Sequence, residues 1–477
     1  MPDLPLKGIR ILETSDILAL PTAMSIMADM GAEVIHVEYA QRPNFYRFLG
    51  PYPESRPGPN WHDRSAAFNA SNRSKLSLTL NLGSPKGKDV FLKLVEVSDV
   101  VAENFSARVM GNFGLDYPAL KGVKSDIIML SNTGYGHSGP WRDYVGMAQV
   151  IEAATTAHLT GYPDRLPGKA GQSIMDLVVA WNIVNAIMLA LLHRGRTGKA
   201  QWIDHSMLQA CVPLAIGPLM DAAMNPAKRD NQMRRGNRDA VHAPQGCYPC
   251  TGDDDWLVIS VTSNEEWRKL VAAIGNPAWT QDARLATEAG RMAAHDELDR
   301  HISAWTSGQD KMQAMELLQN AGVPAGAVLK NKEVLANPQY QERGFWEMAN
   351  HPPETGIGGR LYGGRPFRMS RTNGRIRRAT APLAYDNRYI LEELLGLEED
   401  EVLDMEDEGV ASPYLTGPEV GDMRVGNMPA GYRPAAPTGQ GLVERGDAHS
   451  YDPSYNETLG QKASGSATSK GRMPVEE

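Results

Sequence analysis

An aspartate lies at the junction between a Pro/Gly-rich loop and a long apolar segment. In Ser173-Ile-Met-Asp176 the spacing is that of a helix capping box, with Ser173 as N-cap and Asp176 as N3, so a structural role is the simplest interpretation. However, the positive end of a helix stabilises an ionised carboxylate, and apolar surroundings would partly dehydrate it. A carboxylate in that state can act as a nucleophile. Asp176 is therefore the first candidate for a catalytic residue.

A glycine-rich loop, Gly134–Gly139, follows a predicted strand and has the spacing G-x-G-x-x-G. In a dinucleotide site, a helix begins directly after this pattern and its amides bind the pyrophosphate. Here Pro140 and Trp141 follow instead. We therefore interpret the segment as an active-site loop whose backbone approaches a ligand closely, rather than as a nicotinamide site.

Two further sequence patterns give only weak indications of metal or redox chemistry. Cys247-Tyr-Pro-Cys250 has C-x-x-C spacing, but zinc needs a second pair. Redox chemistry favours a first cysteine at a helix N-terminus, so a structural strand end is the preferred interpretation. The eleven histidines include no H-x-x-x-H or H-E-x-x-H spacing. The sequence thus gives no support for a metal site.

The composition describes the protein that must position these residues. At about 150 residues per domain, the length predicts two to four domains. A net charge of −9 argues against a general nucleic-acid binder, and three cysteines are too few for a disulfide framework. No signal peptide is evident at the N-terminus, and the apolar run Leu177–Leu192 is shorter than the about 20 residues of a membrane span. We expect a cytoplasmic protein that contacts neither nucleic acid nor membrane.

Strands alternate with helices over residues 1–140, which predicts an α/β fold with a parallel sheet. The predicted strands are Gly8–Glu13, Ala32–Glu38, Leu76–Leu82, Asp99–Asn104 and Asp126–Asn132, and helices are predicted at Ala23–Met30 and Gly87–Val97. From Ser412 onward, Gly, Pro, Ser and charged residues predominate. Residues 412–477 are therefore predicted to form an irregular arm or a disordered tail.

Several segments, taken in order, resemble the class III coenzyme A transferases, a group that includes formyl-CoA:oxalate and carnitine CoA-transferases and α-methylacyl-CoA racemase. They include LPLKGIRILE, PTAMSIMADMGAEVIHVE, SNTGYGHSGP, SIMDLVVAWNIVNAIMLALLHRGRTGKAQWIDHSM and NAGVPAGAVLKNKEVLANPQYQERGFW. The resemblance implies a large Rossmann-like, CoA-binding domain from residues 1–210 and 335–405, a smaller α/β domain from residues 215–330, and an interlocked dimer.

The resemblance places the family's catalytic aspartate on Asp176. In the chemistry it implies, the carboxylate attacks a donor acyl-CoA thioester and forms a mixed anhydride. The CoA thiolate returns to give an aspartyl-CoA thioester, and an acceptor acid then takes the CoA through a second anhydride. This route implies acyl-CoA and a small organic acid as substrates, with no tightly bound cofactor and no metal. The amides of Gly134, Tyr135 and Gly136 are expected to stabilise developing oxyanions.

The resemblance also implies contacts with CoA and with the acyl group. The implied CoA contacts are Ala19, Tyr39, Leu80, Asn104 and Phe105, and Tyr135 is expected near the acyl end. Relatives carry basic residues for the CoA phosphates where this chain has Tyr39, Gly83 and Asn112. Five nearby basic residues could replace them, namely Arg42, Arg73, Lys75, Lys86 and Arg108. The acyl pocket is expected to contain Leu18, Trp141, Met147 and Met175. The apolar and aromatic residues of this set suggest an acyl group larger or less polar than formyl or oxalyl.

Two other functions compete with CoA transfer. A racemase needs two positioned acid/base groups, but Met147 occupies the place of the racemases' histidine, and Glu152 is an acid nearby. A weakly catalytic or non-catalytic subunit of a hetero-oligomeric CoA-transferase would account for the missing basic residues and the long tail. The sequence favours a transferase that forms a homodimer and leaves these alternatives open.

Overall fold

In a computed structural model of the chain, the described residues are 4–58, 60–169, 171, 173–225 and 234–415. They form two compact units. The first takes the described residues of Met1–Ile151, Ser173–Pro213 and Pro338–Glu477, and the second takes those of Glu152–Gln172 and Leu214–Asn337. Residues 152–172, which the sequence analysis assigns to the large domain, thus belong to the second unit. The predicted arm lies outside the described residues beyond position 415.

A six-stranded parallel sheet forms the centre of the first unit. Its strands are β1 (Arg10–Thr14), β2 (Glu33–Glu38), β3 (Leu76–Thr79), β4 (Val100–Glu103), β5 (Ile128–Thr133) and β6 (Trp202–Ser206). The strand order β3-β2-β1-β4-β5-β6 is that of a doubly wound sheet, in which the order reverses between β1 and β4. The five predicted strands are confirmed. The sixth was missed because its sequence, WIDHS, is polar and half-exposed at the edge of the sheet.

The α-helices of the described residues follow one another along the chain. They are α1 (Ala19–Asp29), α2 (Ala66–Asn72), α3 (Pro85–Glu96), α4 (Val109–Phe113), α5 (Tyr117–Val123), α6 (Ala148–Thr155), α7 (Ile174–Thr197), α8 (Met207–Cys211), α9 (Ile216–Met224), α10 (Asn264–Ala273), α11 (Glu288–Ala293), α12 (His295–Thr306), α13 (Lys311–Asn320), α14 (Asn331–Ala336), α15 (Pro338–Glu342) and α16 (Glu399–Asp407). A π-helix, Tyr389–Leu394, precedes α16.

Helices cover both faces of the parallel sheet, as the near-continuous apolar strands require. On one face, α1 and α7 pack against Ile11 and Val100. On the other face, α3, α5 and α16 pack against Leu12 and Val101. Since successive side chains of a strand point to opposite faces, β1 and β4 contribute to both cores. The sheet is thereby fixed from both sides, which makes its carboxyl edge a rigid support for a site.

The second unit contains a three-stranded antiparallel sheet of β7 (Gln245–Pro249), β8 (Trp256–Ser260) and β9 (Ala325–Ala327). Helices α10, α12 and α13 pack on it around Leu257, Ile259 and Trp267. A separate hairpin in the first unit pairs β10 (Trp346–Asn350) with β11 (Gly359–Gly363).

Helix α7 is longer than the apolar run that predicted it. By length and composition alone, it and the segment Met207–Met224 could cross a membrane. One face of α7 is buried in the core of the first unit through Val179 and Ile183. On the other face, Leu189 is 61% exposed and Leu192 is 50% exposed. The helix therefore combines a core face with an apolar face that no described residue covers fully.

Candidate active site

A cavity of about 320 Å³ opens at the carboxyl edge of the parallel sheet. Three of its walls are the segments that follow β1, β4 and β5, namely 16–19, 104–107 and 132–134. This is the position at which the strand order reverses, and ligands of doubly wound folds bind there because the loops from neighbouring strands diverge. The topology thus identifies this cavity as the candidate active site.

Asp176 lies in the first turn of α7 and lines the cavity, although its side chain is only 7% exposed. The predicted capping box is wrong. Ser173 has a left-handed backbone (φ 50°, ψ 36°), and its side chain makes no capping hydrogen bond. A capping serine normally has an extended backbone that directs its oxygen to the amides of the first turn. The Ser173 hydroxyl instead forms a hydrogen bond with Tyr46, so it belongs to the cavity wall.

Tyr46 is a residue that the sequence analysis missed. It lies in the 3₁₀ turn Phe45–Phe48, which begins where Asn44 Oδ1 accepts a hydrogen bond from the Tyr46 amide at 2.9 Å. Burial raises the pKa of the Tyr46 hydroxyl, and the charges of Asp176 and Asp16 raise this pKa further. The phenol therefore keeps its proton and is available as a hydrogen-bond donor beside Asp176.

The loop after β1 is fixed by hydrogen bonds to two other segments. Asn104 Oδ1 accepts from the Asp16 amide at 2.9 Å, and Asn104 Nδ2 donates to the Asp16 carbonyl at 2.8 Å. Asp16 Oδ1 accepts from the amides of Ile17 and Phe45, both at 2.8 Å. Ile17 has a φ of 64°, which is rare for a β-branched residue. Such strain persists only where neighbouring contacts enforce it, and it is common at functional sites.

The remaining wall comes from the loop 142–149, which includes Arg142, Tyr144 and Met147. This loop is held against the glycine-rich loop. A Cβ atom on Gly134 would lie 2.9 Å from the Cα of Gly146, a distance at which backbones must move apart. Glycine at position 134 is thus required for the close approach of the two loops, whereas the predicted approach of this backbone to a ligand stays a prediction.

The cavity brings together half of the predicted site residues. Those that line it are Asp176, Gly134, Ala19, Asn104, Phe105, Leu18 and Met147. Asn104 lies at the cavity but uses its amide group to bind the Asp16 backbone. The sequence-based set also omitted several lining residues. These are Asp16, Tyr46, Arg142, Tyr144, Gln149 and Ser173.

The other predicted residues do not line the cavity. Leu80 and Met175 are each 1% exposed and belong to the cores on the two faces of the sheet. Tyr39 forms an isolated bridge with Arg42, and Arg108 is the exposed N-cap of α4. The expected contacts of these side chains with CoA or the acyl group are therefore not supported by their positions.

Part of the glycine-rich loop has a different role from the predicted one. The Gly136 amide donates to Thr133 Oγ1 at 2.8 Å, so it is already satisfied within its own loop. Tyr135 packs edge-on against Trp141, with ring centroids 5.6 Å apart. Trp141 stacks on Tyr144 at 6.1 Å. Tyr135 and Trp141 thus support Tyr144, which lines the cavity, rather than lining it themselves.

A buried acid lies directly beneath the cavity wall. Glu103 is 1% exposed, and its Oε2 accepts a hydrogen bond from the Phe105 amide at 2.8 Å. Burial raises the pKa of Glu103 to about 7, although hydrogen bonds from Ser131 and Phe105 oppose this rise. The Nε2 atom of His137 is 3.9 Å from Glu103 Oε1. Glu103 therefore changes its charge near neutral pH while bound to a segment of the cavity wall.

Other chemistries find little support in the described residues. In ranges 4–58, 60–169, 173–225 and 234–415, no group of three or more His, Cys, Asp or Glu side chains is arranged to bind a metal ion. Cys247 and Cys250 are free, and burial raises the pKa of both thiols. A raised pKa lowers the thiolate fraction on which cysteine reactivity depends.

The sequence profile of CoA-transferase family III matches residues 6–387. The chain belongs to CoA-transferase family III. Among its relatives, a succinate–glutarate CoA-transferase of Agrobacterium fabrum is 32% identical over 396 residues, which cover 83% of this chain and 96% of the relative. A succinyl-CoA–D-citramalate CoA-transferase of Chloroflexus aurantiacus is 31% identical over 402 residues, covering 84% and 96%.

The fold of the family agrees with the described architecture. The crystal structure of a CAIB/BAIF family protein from Brucella suis matches with a TM-score of 0.74 and 29% identity, covering 82% of this chain and 100% of that protein. This CoA-transferase is therefore an enzyme of the class that moves CoA between an acyl-CoA and an organic acid. The predicted α/β class and the predicted family are both confirmed.

Proposed function

We propose that this CoA-transferase uses Asp176 as a covalent nucleophile to move CoA from an acyl-CoA donor to a free carboxylic acid. The observation that carries the proposal is the position of Asp176. It lies in the first turn of a long helix and lines a cavity at the point where the strand order of the sheet reverses. The helix N-terminus stabilises its negative charge, and the cavity gives a thioester access to it.

The proposed reaction proceeds through four acyl transfers. A carboxylate oxygen of Asp176 attacks the thioester carbonyl carbon, and the CoA thiolate leaves with the bonding electrons. The thiolate then attacks the aspartyl carbonyl of the anhydride and releases the donor acid. The acceptor carboxylate attacks the aspartyl thioester, and the thiolate leaves again. The thiolate finally attacks the acceptor's carbonyl, which forms the new acyl-CoA and restores Asp176. Dividing one exchange into such steps lowers each barrier.

Hydroxyl and backbone groups around Asp176 suit these steps. The protonated Tyr46 hydroxyl lies in the electrostatic field of Asp176 and is bonded to Ser173. A preorganised donor of this kind stabilises the oxyanion that develops at each attack. Ala19 and Phe105 line the cavity and suit contact with the pantetheine arm. No tightly bound cofactor enters the proposed reaction, since CoA is a substrate.

We further propose that the enzyme acts as an interlocked homodimer in the cytoplasm. The exposed apolar face of α7, with Leu189 and Leu192, supports an interface between copies because large exposed apolar surfaces are rare in monomers. The chain has only three cysteines, which agrees with a reducing compartment.

A second candidate is one subunit of a hetero-oligomeric CoA-transferase. A relative of this chain, 28% identical over 405 residues, is the alpha subunit of a succinyl-CoA–L-malate CoA-transferase of Chloroflexus aurantiacus. The racemase alternative lacks such support. Met147 lines the cavity, no described histidine does, and a methionine cannot transfer a proton.

The decisive experiment replaces the nucleophile and then looks for the covalent intermediate. Asp176→Asn should abolish CoA transfer while CoA binding and folding persist, and hydroxylamine should trap the wild-type protein at Asp176. Asp143→Asn, which changes an exposed acid on the neighbouring loop, is the matched control and should retain activity. Turnover by the Asp176→Asn variant would overturn the covalent mechanism. If the pure chain neither binds CoA nor turns over, the hetero-oligomer is the correct assignment.

A further inference from the structure

One cationic side chain lines the cavity among the described residues. It is Arg142, and within the described part of the chain the other charged residues on the wall are Asp16 and Asp176. Arg142 belongs to none of the ion pairs between described residues, and its side chain is exposed. A guanidinium outside any such ion pair, on the wall of a cavity that also contains a nucleophilic acid, has the chemistry of a substrate anchor.

The charges of the cavity specify what this anchor would bind. Two acid side chains repel any additional anion, so an anionic substrate needs a compensating cation within the same space. Guanidinium groups bind carboxylates with two parallel hydrogen bonds, which fixes orientation as well as affinity. Asp176 reacts with one end of the acyl chain. A second carboxylate at the other end is the group that Arg142 can neutralise.

We propose that Arg142 binds the distal carboxylate of the acyl group, so that the preferred substrates of this enzyme are short dicarboxylic acids and their mono-CoA thioesters. The inference rests on the proposed function, because it takes Asp176 as the reacting group. The cavity of about 320 Å³ is near the lower limit for small-molecule pockets, about 300 Å³, which favours short acids. The expectation of an acyl group larger or less polar than formyl or oxalyl placed Trp141 and Met175 in the pocket, and neither of these residues lines the cavity.

The same guanidinium chemistry would suit a phosphate of CoA. A comparison of two thioesters separates the two sources, because both carry the same CoA and differ only at the far end of the acyl chain. Glutaryl-CoA ends in a carboxylate, whereas valeryl-CoA has the same chain length and ends in a methyl group. Loss of a contact with a CoA phosphate would lower kcat/KM equally for both thioesters. Loss of a contact with the distal carboxylate would lower kcat/KM for glutaryl-CoA only.

The experiment measures kcat/KM of the full-length enzyme for both thioesters with one common acceptor acid. Arg142→Gln should lower kcat/KM for glutaryl-CoA on the order of 10- to 100-fold, the range for a lost hydrogen bond to a charged group, and leave valeryl-CoA within about twofold. Arg142→Lys should recover part of the loss because the charge is kept while the planar fork is removed. Arg56→Gln, at an exposed arginine outside the cavity wall, is the matched control and should change neither value.

Calorimetry of glutarate and valerate with the Asp176→Asn variant, with and without Arg142→Gln, provides a readout that needs no turnover. Glutarate binding should weaken when Arg142 is replaced, and valerate binding should not. The proposal would be overturned if Arg142→Gln lowered kcat/KM equally for both thioesters or left the preference between them unchanged. It would also be overturned if Arg142→Gln left the binding of glutarate unchanged. Wild-type enzyme that transfers CoA from neither thioester nor from other acyl-CoAs would instead contradict the proposed function.

Discussion

The hydroxyl of Tyr46 offers the sharpest test of how the proposed nucleophile, Asp176, is supported. Tyr46→Phe removes one oxygen and keeps the ring, so the 3₁₀ turn that carries it should persist. In the structure this hydroxyl is bonded to Ser173, and burial together with the negative charge of Asp176 raises its pKa. Two magnitudes can therefore be distinguished, depending on whether the hydroxyl serves only Ser173 or also the charged groups of the reaction.

A lost hydrogen bond between neutral groups costs about 0.5–1.5 kcal/mol, whereas one to a charged group costs about 1.5–3 kcal/mol. Converted to rates, the first is roughly 2- to 12-fold and the second roughly 12- to 160-fold. If Tyr46 stabilises the oxyanion that forms at Asp176, Tyr46→Phe should slow formation of the aspartyl thioester by the larger factor. The measurement is the single-turnover rate of that intermediate with saturating acyl-CoA.

A double-mutant cycle with Ser173→Ala shows whether the Tyr46 hydroxyl acts on the reacting atoms or only through Ser173. If Tyr46 acts on the reacting atoms, the tyrosine variant should be slower than the serine variant, with a coupling energy between them because the two hydroxyls are bonded. Equal losses in both single variants and in the double variant would mean that Tyr46 acts only by positioning Ser173. A Tyr46→Phe enzyme with the wild-type rate would refute the role of this hydroxyl in catalysis.

Two further predictions concern the cavity walls. Burial raises the pKa of Glu103 from 4.5 to about 7, so the folded state keeps a proton that the unfolded state releases. The resulting stability is fully present below about pH 4.5 and is lost as the pH rises through about 7. In urea unfolding, the wild type should therefore lose on the order of 3 kcal/mol relative to Glu103→Gln across that window, and parallel pH curves would contradict this. Gly134→Ala should reduce activity and lower the free energy of unfolding by about 1–3 kcal/mol, because the new Cβ meets the Gly146 backbone at 2.9 Å. Thermal unfolding and the rate of CoA transfer measure the two effects. The control Gly111→Ala, where a Cβ has no neighbour within 4 Å, should change neither stability nor rate.

The parallel sheet was predictable because its strands are buried on both faces and appear in the sequence as continuous apolar runs. β6 was missed for the opposite reason, since an edge strand needs fewer apolar residues. The position of Asp176 at the start of α7 also followed from local sequence, because a polar residue before a long apolar run signals a helix start. The left-handed backbone of Ser173 could not be predicted from the sequence. The capping interpretation was wrong because a serine in this conformation does not direct its oxygen to the amides of the first turn.

Several of the predicted residues that line the cavity lie in or near segments that follow a strand directly. Leu18, Ala19, Asn104 and Gly134 come from such segments. Tyr46 and Arg142 lie in irregular loops, where no periodicity relates a residue to its neighbours in space. Leu80 and Met175 illustrate the reverse case. Met175 is next to Asp176, which lines the cavity, but an apolar side chain beside a sheet is drawn into the nearest core.

Asp16 joins two segments that are distant in the sequence. A single oxygen of its side chain accepts hydrogen bonds from Ile17, in the turn that follows the first strand, and from Phe45, next to the tyrosine beside Asp176. The two segments are thereby joined at one carboxylate oxygen. Under the proposed function, a thioester that contacts the first segment would act, through this small acid, on the segment that carries the Tyr46 phenol.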